Sequence, residues 1–278
     1  MPVTIKKLAG VATLVLGAWC LLPSTSLIFL EVQTAYARLS KQWQAYVDSA
    51  VHDASWHQWD CDIQAIVNAY NEHLQTTKGF SALDWRLIKA LLWVESGAGS
   101  HEWNKRPMQI GVANDPGLGA LLDGNEGGHL ILPLDYKKAL TKTSAKTDPI
   151  HNIRAGIAYL LMRMAYFGWE NKAAKGSVVR DVEVKKGDSF YLLAKRYGST
   201  VAHLKALNPE IKTLHPGQHV KVQAAQLHKT ITGWRPLTTA LMHARYNGFG
   251  DSNYAQKIEY VLPIIQQGTP AQCPSSDA

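Results

Sequence analysis

The segment LLWVESGAG, Leu91–Gly99, ends an apolar run on a carboxylate and follows it at once with small residues. A carboxylate among apolar side chains is costly unless it has a partner or a task. Apolar surroundings, here the leucines and Trp93, raise the pKa of a glutamate and let it act as a general acid. The alternative is a helix-terminal Glu95 that simply pairs with Lys105 or Arg106.

Three further segments follow LIKALLWVESGAGS along the chain: RPMQIG, NIRAGIAYL and ARYNGFGDSNYAQKI. Each segment alone is too common to identify a protein family, but the occurrence of all four in this order is specific. Together they resemble the four signatures of the lytic transglycosylases, lysozyme-like enzymes that cleave peptidoglycan, over roughly residues 81–170 and 230–265. The resemblance implies a mainly α, lysozyme-like (α+β) catalytic domain.

The resemblance also implies a reaction. A lytic transglycosylase cleaves the MurNAc-β-1,4-GlcNAc bond with a single glutamate, at this chain's Glu95, which acts first as acid and then as base. The C6 hydroxyl of the sugar closes on C1, so a 1,6-anhydro product forms without water. Other interpretations are a muramidase, which hydrolyses the same bond with water, and a cell-wall-binding protein without activity.

A muramidase needs a second carboxylate to activate water or to act as nucleophile. The Gly-rich region that follows Glu95 offers four candidates, although we favour solvated loop charges: Glu102, Asp115, Asp123 and Glu126.

The substrate-binding residues that the resemblance implies lie in all four segments. They are Ser96, Met108, Gln109, Tyr159, Tyr246 and Asn247. The hydroxyl of Tyr246 is expected close to the catalytic carboxyl, where a hydrogen bond would fix its orientation, and Asn247 is expected to shape a turn. Two departures from the family pattern are Arg106-Pro107 before Met-Gln and Phe249 after Tyr-Asn-Gly, which leave the shape of the groove open.

A second resemblance covers residues 182–222. VKKGDSFYLLAKRYG, LKALNP and LHPGQHVKV resemble a LysM module, a small binder of N-acetylglucosamine polymers, and their pattern predicts the order strand, helix, helix, strand. The resemblance implies glycan-binding residues at Gly187, Asp188, Ser189, Phe190, Asn208 and Pro209. This βααβ domain interrupts the catalytic domain, which is tolerable if its two ends emerge close together. We expect it to hold a glycan strand beside the groove; the alternative is a loosely tethered module that only anchors the protein to the cell wall.

The elements that position these residues are read from apolar periodicity. The helix that carries Glu95 is expected to be capped by Ser81, with Asp84 at capping-box spacing, and to end at Gly97. Residues 98–135 read as a long functional loop, and NKAAKGS reads as a polar linker. The predicted segments are a leader at 1–37, N-terminal helices at 38–80, the catalytic domain at 81–172 and 226–265, the LysM domain at 177–225 and a tail at 266–278.

The leader begins with Lys6 and Lys7, followed by an uncharged run of 23 residues, Leu8–Leu30, and by AYA at Ala35–Ala37. This pattern is typical of a cleaved signal peptide, and the run is also long enough to be an uncleaved membrane anchor. Either way the chain is expected to be exported to the periplasm or cell envelope, with inner-membrane attachment through residues 8–30 if the leader is retained.

The composition limits the other partners. The net charge of +7 suits an anionic polymer such as a cell wall, while no basic stripe with interleaved aromatics predicts nucleic-acid binding. The 11 histidines form no metal-binding motif, and we expect neither a metal nor a cofactor. Beyond the leader, Cys61 and Cys273 form an even pair, which in an oxidising compartment gives either one disulfide or two free thiols.

Overall fold

A computed structural model describes residues 39–268 and Cys273. The predicted signal or anchor, with its membrane-attachment segment, and most of the predicted tail lie outside these residues. Within the described part of the chain, no helix has the length and apolar character needed to cross a bilayer. About half of these residues are helical, and two two-stranded sheets complete the fold, so the prediction of a mainly α chain is confirmed.

The first helices follow the predicted periodicity. They are α1, Lys41–Ala50, and α2, Asp60–Leu74, joined through a short 3-10 turn at Ala54–His57. Helix α3, Trp85–Glu95, then runs through the core with Ile88 and Ala90–Trp93 buried.

Helix α3 begins three residues later than predicted. Its N-cap is Asp84, whose carboxylate accepts the Arg86 N–H at 2.9 Å, and not Ser81. Both residue types cap well, so the sequence alone did not decide between them. A buried ion pair then ties α3 to α2, because the Nζ of Lys89 donates to Oδ2 of Asp60 at 2.7 Å. The cap therefore fixes where α3 begins, and the ion pair fixes its position against α2.

The region predicted as a long loop instead contains short helices. They are α4, Gly117–Leu122; α5, Gly128–Ile131; and α6, Leu134–Ala139, with α7, Ser144–Thr147, directly after them. Buried apolar residues between the glycines, such as Leu118, Leu121 and Ile131, hold these turns against the main core. Helix α8, Pro149–Met164, follows and is buried along most of its length.

The predicted polar linker begins within a strand. Strand β1, Ala165–Ala173, pairs antiparallel with β4, Ala225–Trp234, from Ala165↔Trp234 to Ala173↔Ala225. A bulge between Tyr166 and Phe167 shifts the register once. We call this two-stranded ribbon the stalk, because it connects the inserted unit to the helical body.

The inserted unit has the predicted βααβ order. It consists of β2, Arg180–Glu183; α9, Phe190–Arg196; α10, Val201–Leu207; and β3, His219–Val222, with β2 and β3 paired antiparallel. Its buried residues, among them Leu193, Leu204 and Val220, form a core separate from that of the helical body. The unit can therefore bury apolar surface by itself.

The helical body is completed after the insertion. Helix α11, Thr239–Met242, leads into a single π-helical turn at His243–Asn247, and α12, Tyr254–Gln267, packs against α3. Leu161 from before the insertion and Ile258 from after it lie in one hydrophobic core. A disulfide joins Cys61 in α2 to Cys273, so the structure has the bridge rather than two free thiols.

Candidate functional site

Glu95 is the last residue of α3, where the chain turns sharply. Gly97 has φ +67°, and a Cβ there would come within 2.7 Å of the Trp56 ring. The Oγ of Ser96 donates to the carbonyl of Pro107 at 2.9 Å. Ser96 therefore ties the end of α3 to the segment that carries Met108, and its substrate-binding role stays a prediction.

A groove of about 230 Å³ opens beside the end of α3. Segments that are far apart in the chain meet there, and the other predicted residues are among those that line it: Glu95, Met108, Gln109, Ile110, Val112, Asp115, Tyr159, Tyr246 and Asn247. The glutamate, the Met-Gln pair and the Tyr-Asn pair therefore share one concave surface.

The surroundings of Glu95 favour its protonated form. Burial is the largest cause and raises the pKa of this carboxyl to about 7, opposed by a hydrogen bond from Tyr254. Of the nearby charges, Asp251 and Asp115 raise the pKa further, while Lys257 lowers it. At neutral pH this glutamate can therefore both hold and release a proton, as general acid–base chemistry requires.

The alternative pairing of Glu95 with Lys105 or Arg106 is wrong. Arg106 instead pairs with Glu102, with Nε 2.5 Å from Oε2. Within residues 39–268, no lysine, arginine or histidine forms an ion pair with Glu95. The carboxyl of Glu95 thus has no directly paired cation among these residues, which agrees with its raised pKa.

The hydrogen bond to the carboxyl comes from a different tyrosine than predicted. The hydroxyl of Tyr254, the first residue of α12, donates to Oε1 of Glu95 at 2.5 Å. The hydroxyl of Tyr246 donates to the carbonyl of Met108 at 2.9 Å. Burial raises the pKa of both tyrosines well above the usual value, so both remain donors.

Replacing Tyr254 with phenylalanine should therefore change the titration of Glu95. The hydrogen bond stabilises the carboxylate, so its loss raises the pKa of Glu95, and the alkaline limb of the rate profile moves to higher pH. We expect about a tenfold loss of turnover, since the carboxyl loses its fixed orientation. The measurement is the pH dependence of glycan cleavage.

Tyr246→Phe is the matched control for that experiment. It removes a hydroxyl that bonds a backbone carbonyl, so it should leave the position of the limb unchanged. The assignment would be reversed if Tyr246→Phe moved the limb and Tyr254→Phe did not.

Asn152 in α8 holds the Met-Gln segment in place, a role that sequence reasoning missed. Its buried side chain accepts the Met108 N–H at 2.9 Å and donates to the carbonyls of Ile110 and Ala145 at 3.0 and 2.7 Å. Gly156, one turn later, allows close approach, since a Cβ there would lie 2.5 Å from Cβ of Met108. Asn152 and Gly156, both in the motif NIRAGIAYL, therefore position the segment around Met108 that lines the groove.

The backbone is strained at two residues of the site. Gln109 and Phe249 have φ values of 54° and 64°, which non-glycine residues seldom adopt. Such outliers cluster at functional sites, where the surrounding structure holds them. Asn247 shapes the turn as predicted, because its Oδ1 accepts the Asp251 N–H at 2.9 Å.

The four candidates for a second carboxylate are all engaged. Asp115 alone lines the groove, and its two oxygens accept the N–H groups of Gly111 and Gly117 at 2.6 and 2.7 Å. The other three pair with cations: Glu102 with Arg106, Asp123 with Lys142 and Glu126 with Arg163. Asp251, which sequence reasoning did not single out, pairs with Lys257 at 2.6 Å.

Several residues predicted to bind glycan in the inserted unit have internal tasks. Gly187 forms a turn with φ +88°, and Ser189 caps α9. Asp188 accepts the Lys185 N–H at 2.9 Å and pairs with Arg196 at 2.6 Å. These contacts build the turn between β2 and α9, and glycan binding by Gly187, Asp188 and Ser189 stays a prediction.

Phe190 and Asn208 are buried. Asn208 donates to the carbonyls of Leu204 and Lys221 at 2.7 and 2.8 Å and accepts the Lys221 N–H at 2.8 Å. These bonds hold the end of α10 against β3, and glycan binding by the two residues stays a prediction. Pro209, directly after Asn208, is exposed and stays a candidate.

Metal ligands do not cluster in the part of the chain that the structure describes, where no three His, Cys, Asp or Glu side chains converge. The carboxyl groups that the groove presents are that of Glu95, bonded by Tyr254, and that of Asp115.

Comparison with known proteins identifies the inserted unit. The LysM domain family matches residues 182–223. Searches of curated proteins and of solved structures found no match. The chain therefore contains a LysM domain, and such domains bind the N-acetylglucosamine-containing glycan chains of peptidoglycan.

Proposed function

We propose that the protein is an exported peptidoglycan lytic transglycosylase of the periplasm or cell envelope. The observation that carries the proposal is the carboxyl of Glu95, which lies in a groove, has no cationic partner within residues 39–268 and has a pKa of about 7. The resemblance of four sequence segments to this enzyme family and the LysM domain beside them support the same substrate.

The acid step uses the protonated form of Glu95. Tyr254 occupies Oε1, and no described residue bonds Oε2, which is therefore left to meet the glycosidic oxygen. Proton transfer to that oxygen lets the bond to C1 of the MurNAc ring break, and the GlcNAc end departs with the proton. The amide of Gln109, on the same groove, can both donate to and accept from the acetamido and hydroxyl groups of the sugars.

The base step returns the proton. Glu95 is now a carboxylate, stabilised by the Tyr254 hydroxyl, and takes the proton from the C6 hydroxyl of the MurNAc ring. The C6 oxygen forms a bond to C1, which gives the 1,6-anhydro sugar. Atoms balance without water, and the enzyme regains its protonated glutamate.

A muramidase is the second candidate, because Asp115 lies on the same groove as Glu95. In that reaction a carboxylate activates water or attacks C1. The two oxygens of Asp115 already accept the backbone N–H groups of Gly111 and Gly117, which hold the carboxylate in the adjoining turn. We therefore favour the reaction that needs one carboxylate.

The masses of the soluble products distinguish these two reactions. Purified peptidoglycan digested by the full protein should release fragments with anhydro ends, each lighter by one water than the corresponding reducing sugar. Digestion in H₂¹⁸O should leave these fragments unlabelled. Reducing ends that carry ¹⁸O would instead identify a muramidase, and the absence of fragments over the pH range of the assay would support a wall-binding protein without activity.

The stalk gives the LysM domain a defined place in this proposal. It consists of paired strands, and its tip also contacts the domain, because the Ala225 N–H donates to the carbonyl of Gly198 at 3.1 Å. A bound glycan strand is thereby kept near the groove, which raises the local substrate concentration.

A further inference from the structure

The two faces of the stalk differ in chemistry. Along each strand successive side chains alternate between faces, and the register places Phe167, Trp169 and Asn171 on the same face as Ile231, Lys229 and Leu227. The opposite face beyond the bulge carries Gly168, Glu170 and Lys172 with their partners Thr230, His228 and Gln226. We call the first set the apolar face of the stalk.

The apolar face is covered at both ends and open in the middle. At its base, Phe167 packs on Gly127, where an added Cβ would lie 2.4 Å from the ring. At its tip, Asn171 bonds the hydroxyl of Thr200 in the LysM domain. Trp169, between these two contacts, is 66% exposed, and Leu227, the register partner of Asn171 near the tip, is 55% exposed. Two large apolar side chains on one face of the stalk are thus open to solvent, at a cost that a monomeric protein seldom carries without a use.

Contacts connect the apolar face to the groove. Lys229 bonds the carbonyl of Asn125. The next residue, Glu126, pairs with Arg163 at 3.1 Å, and the guanidinium of Arg163 lies 5.9 Å from the ring centre of Tyr159. Tyr159 lines the groove. A chain of contacts therefore links the apolar face of the stalk to a residue that lines the groove.

We infer that the apolar face of the stalk, centred on Trp169, is a binding surface for the N-acetylglucosamine-containing glycan strand, between the LysM domain and the groove. The axial C–H groups of a pyranose give it an apolar, electropositive face, which stacks on the electron-rich face of an indole. Leu227 extends the apolar contact on the neighbouring strand. The LysM domain at one end of the face is the observation that selects a glycan as occupant rather than a second copy of this chain.

The inference goes beyond the proposed function, since it concerns binding and not bond cleavage. It is therefore tested in full-length protein that carries Glu95→Gln, in which glycan stays intact whatever the reaction is. The probes are N-acetylglucosamine oligomers of increasing length and insoluble peptidoglycan.

Trp169→Ala in that background should weaken binding of long oligomers and peptidoglycan roughly fivefold to tenfold, because one stacking contact is lost. Binding of the shortest oligomers, which occupy the LysM domain or the groove alone, should not change. Trp169→Phe should retain most of the affinity, and Glu170→Ala combined with His228→Ala, on the opposite face of the same strands, should retain all of it. Thermal unfolding of each variant checks that the exposed substitutions leave the fold intact.

Three results would overturn the inference. The first is unchanged binding of long chains by Trp169→Ala. The second is an equal loss for short and long oligomers, which would place the effect in the LysM domain. The third is self-association, measured by sedimentation, that Trp169→Ala abolishes without any effect on glycan binding. A failure of catalysis in the wild-type protein would change none of these readouts.

Discussion

Replacing Glu95 with glutamine should lower the rate of glycan cleavage roughly a thousandfold or more and leave glycan binding unchanged. Glutamine keeps the shape of the side chain and an oxygen that can accept from Tyr254, but it has no proton to transfer. Release of soluble fragments from peptidoglycan, together with a pull-down on insoluble walls, measures both effects. Glu72→Gln, an exposed glutamate on α2, is the matched control and should cleave at the wild-type rate.

The same substitution should stabilise the protein at neutral pH. The pKa of Glu95 is about 7 in the folded protein and near 4.5 in the unfolded chain, so between these values the folded state holds the extra proton. Stability then falls as pH rises through this window, by up to about 3 kcal/mol. Glu95→Gln removes that loss, so its free energy of unfolding should match the wild type below pH 4.5 and exceed it above pH 7.

Two results would contradict this account. A Glu95→Gln protein that clears cell walls as fast as the wild type would refute the catalytic role. Equal stability of the two proteins at both ends of the pH window would show that Glu95 is not held protonated by burial.

Removing the disulfide should have the largest effect on stability. Cys61 and Cys273 are separated by 212 positions, and closing so long a loop in the unfolded chain corresponds to about 5 kcal/mol in the chain-entropy treatment. This is a large part of the 5–15 kcal/mol that typical proteins have in total. Cys61→Ser combined with Cys273→Ser should therefore shift the denaturant midpoint strongly downward.

Reductant is the control for the disulfide. Wild-type protein unfolded in the presence of a thiol reductant should resemble the double variant, and the double variant should not respond to reductant. A wild-type midpoint that is the same with and without reductant would show that the bridge does not contribute.

The sequence singled out Glu95 but not the tyrosine that bonds its carboxyl. Glu95 could be found because an apolar run with a carboxylate at its end is a local pattern. Tyr254 lies 159 positions away and reads as one more apolar residue of α12. Its contact with Glu95 depends on how α12 packs against α3, which periodicity does not specify. Tyr246 was the better candidate by motif, and the structure directs its hydroxyl to the carbonyl of Met108 instead.

The prediction of helices and strands has the same limit, because a local pattern does not show which distant segments pair. Helices with a regular apolar stripe, such as α2 and α8, were predicted because their signal is contained within them. Strand β1 contains Gly168, Asn171 and Lys172, which are poor strand formers, and it exists because β4 pairs with it from the other side of the LysM domain. Likewise, the LysM pattern is visible in the sequence, but only the fold shows that the amide of Asn208 donates hydrogen bonds to the carbonyls of Leu204 and Lys221.

The pairing of Ala173 with Ala225 has a consequence for how the chain folds. Residues 174–224 would be a long loop to close if they stayed unfolded while the stalk formed. The LysM domain has its own core, and β2 and β3 near its ends pair with each other, so its folding brings the last residue of β1 next to the first residue of β4. Strands β1 and β4 can then pair from Ala173 and Ala225 toward the helical body, as the strands of a hairpin do. This pairing brings α11 and α12 close to α3 and α8, with which they share one hydrophobic core. Folding of the LysM domain thereby brings distant parts of the helical body together, and we expect a destabilised LysM core to slow folding of the whole chain.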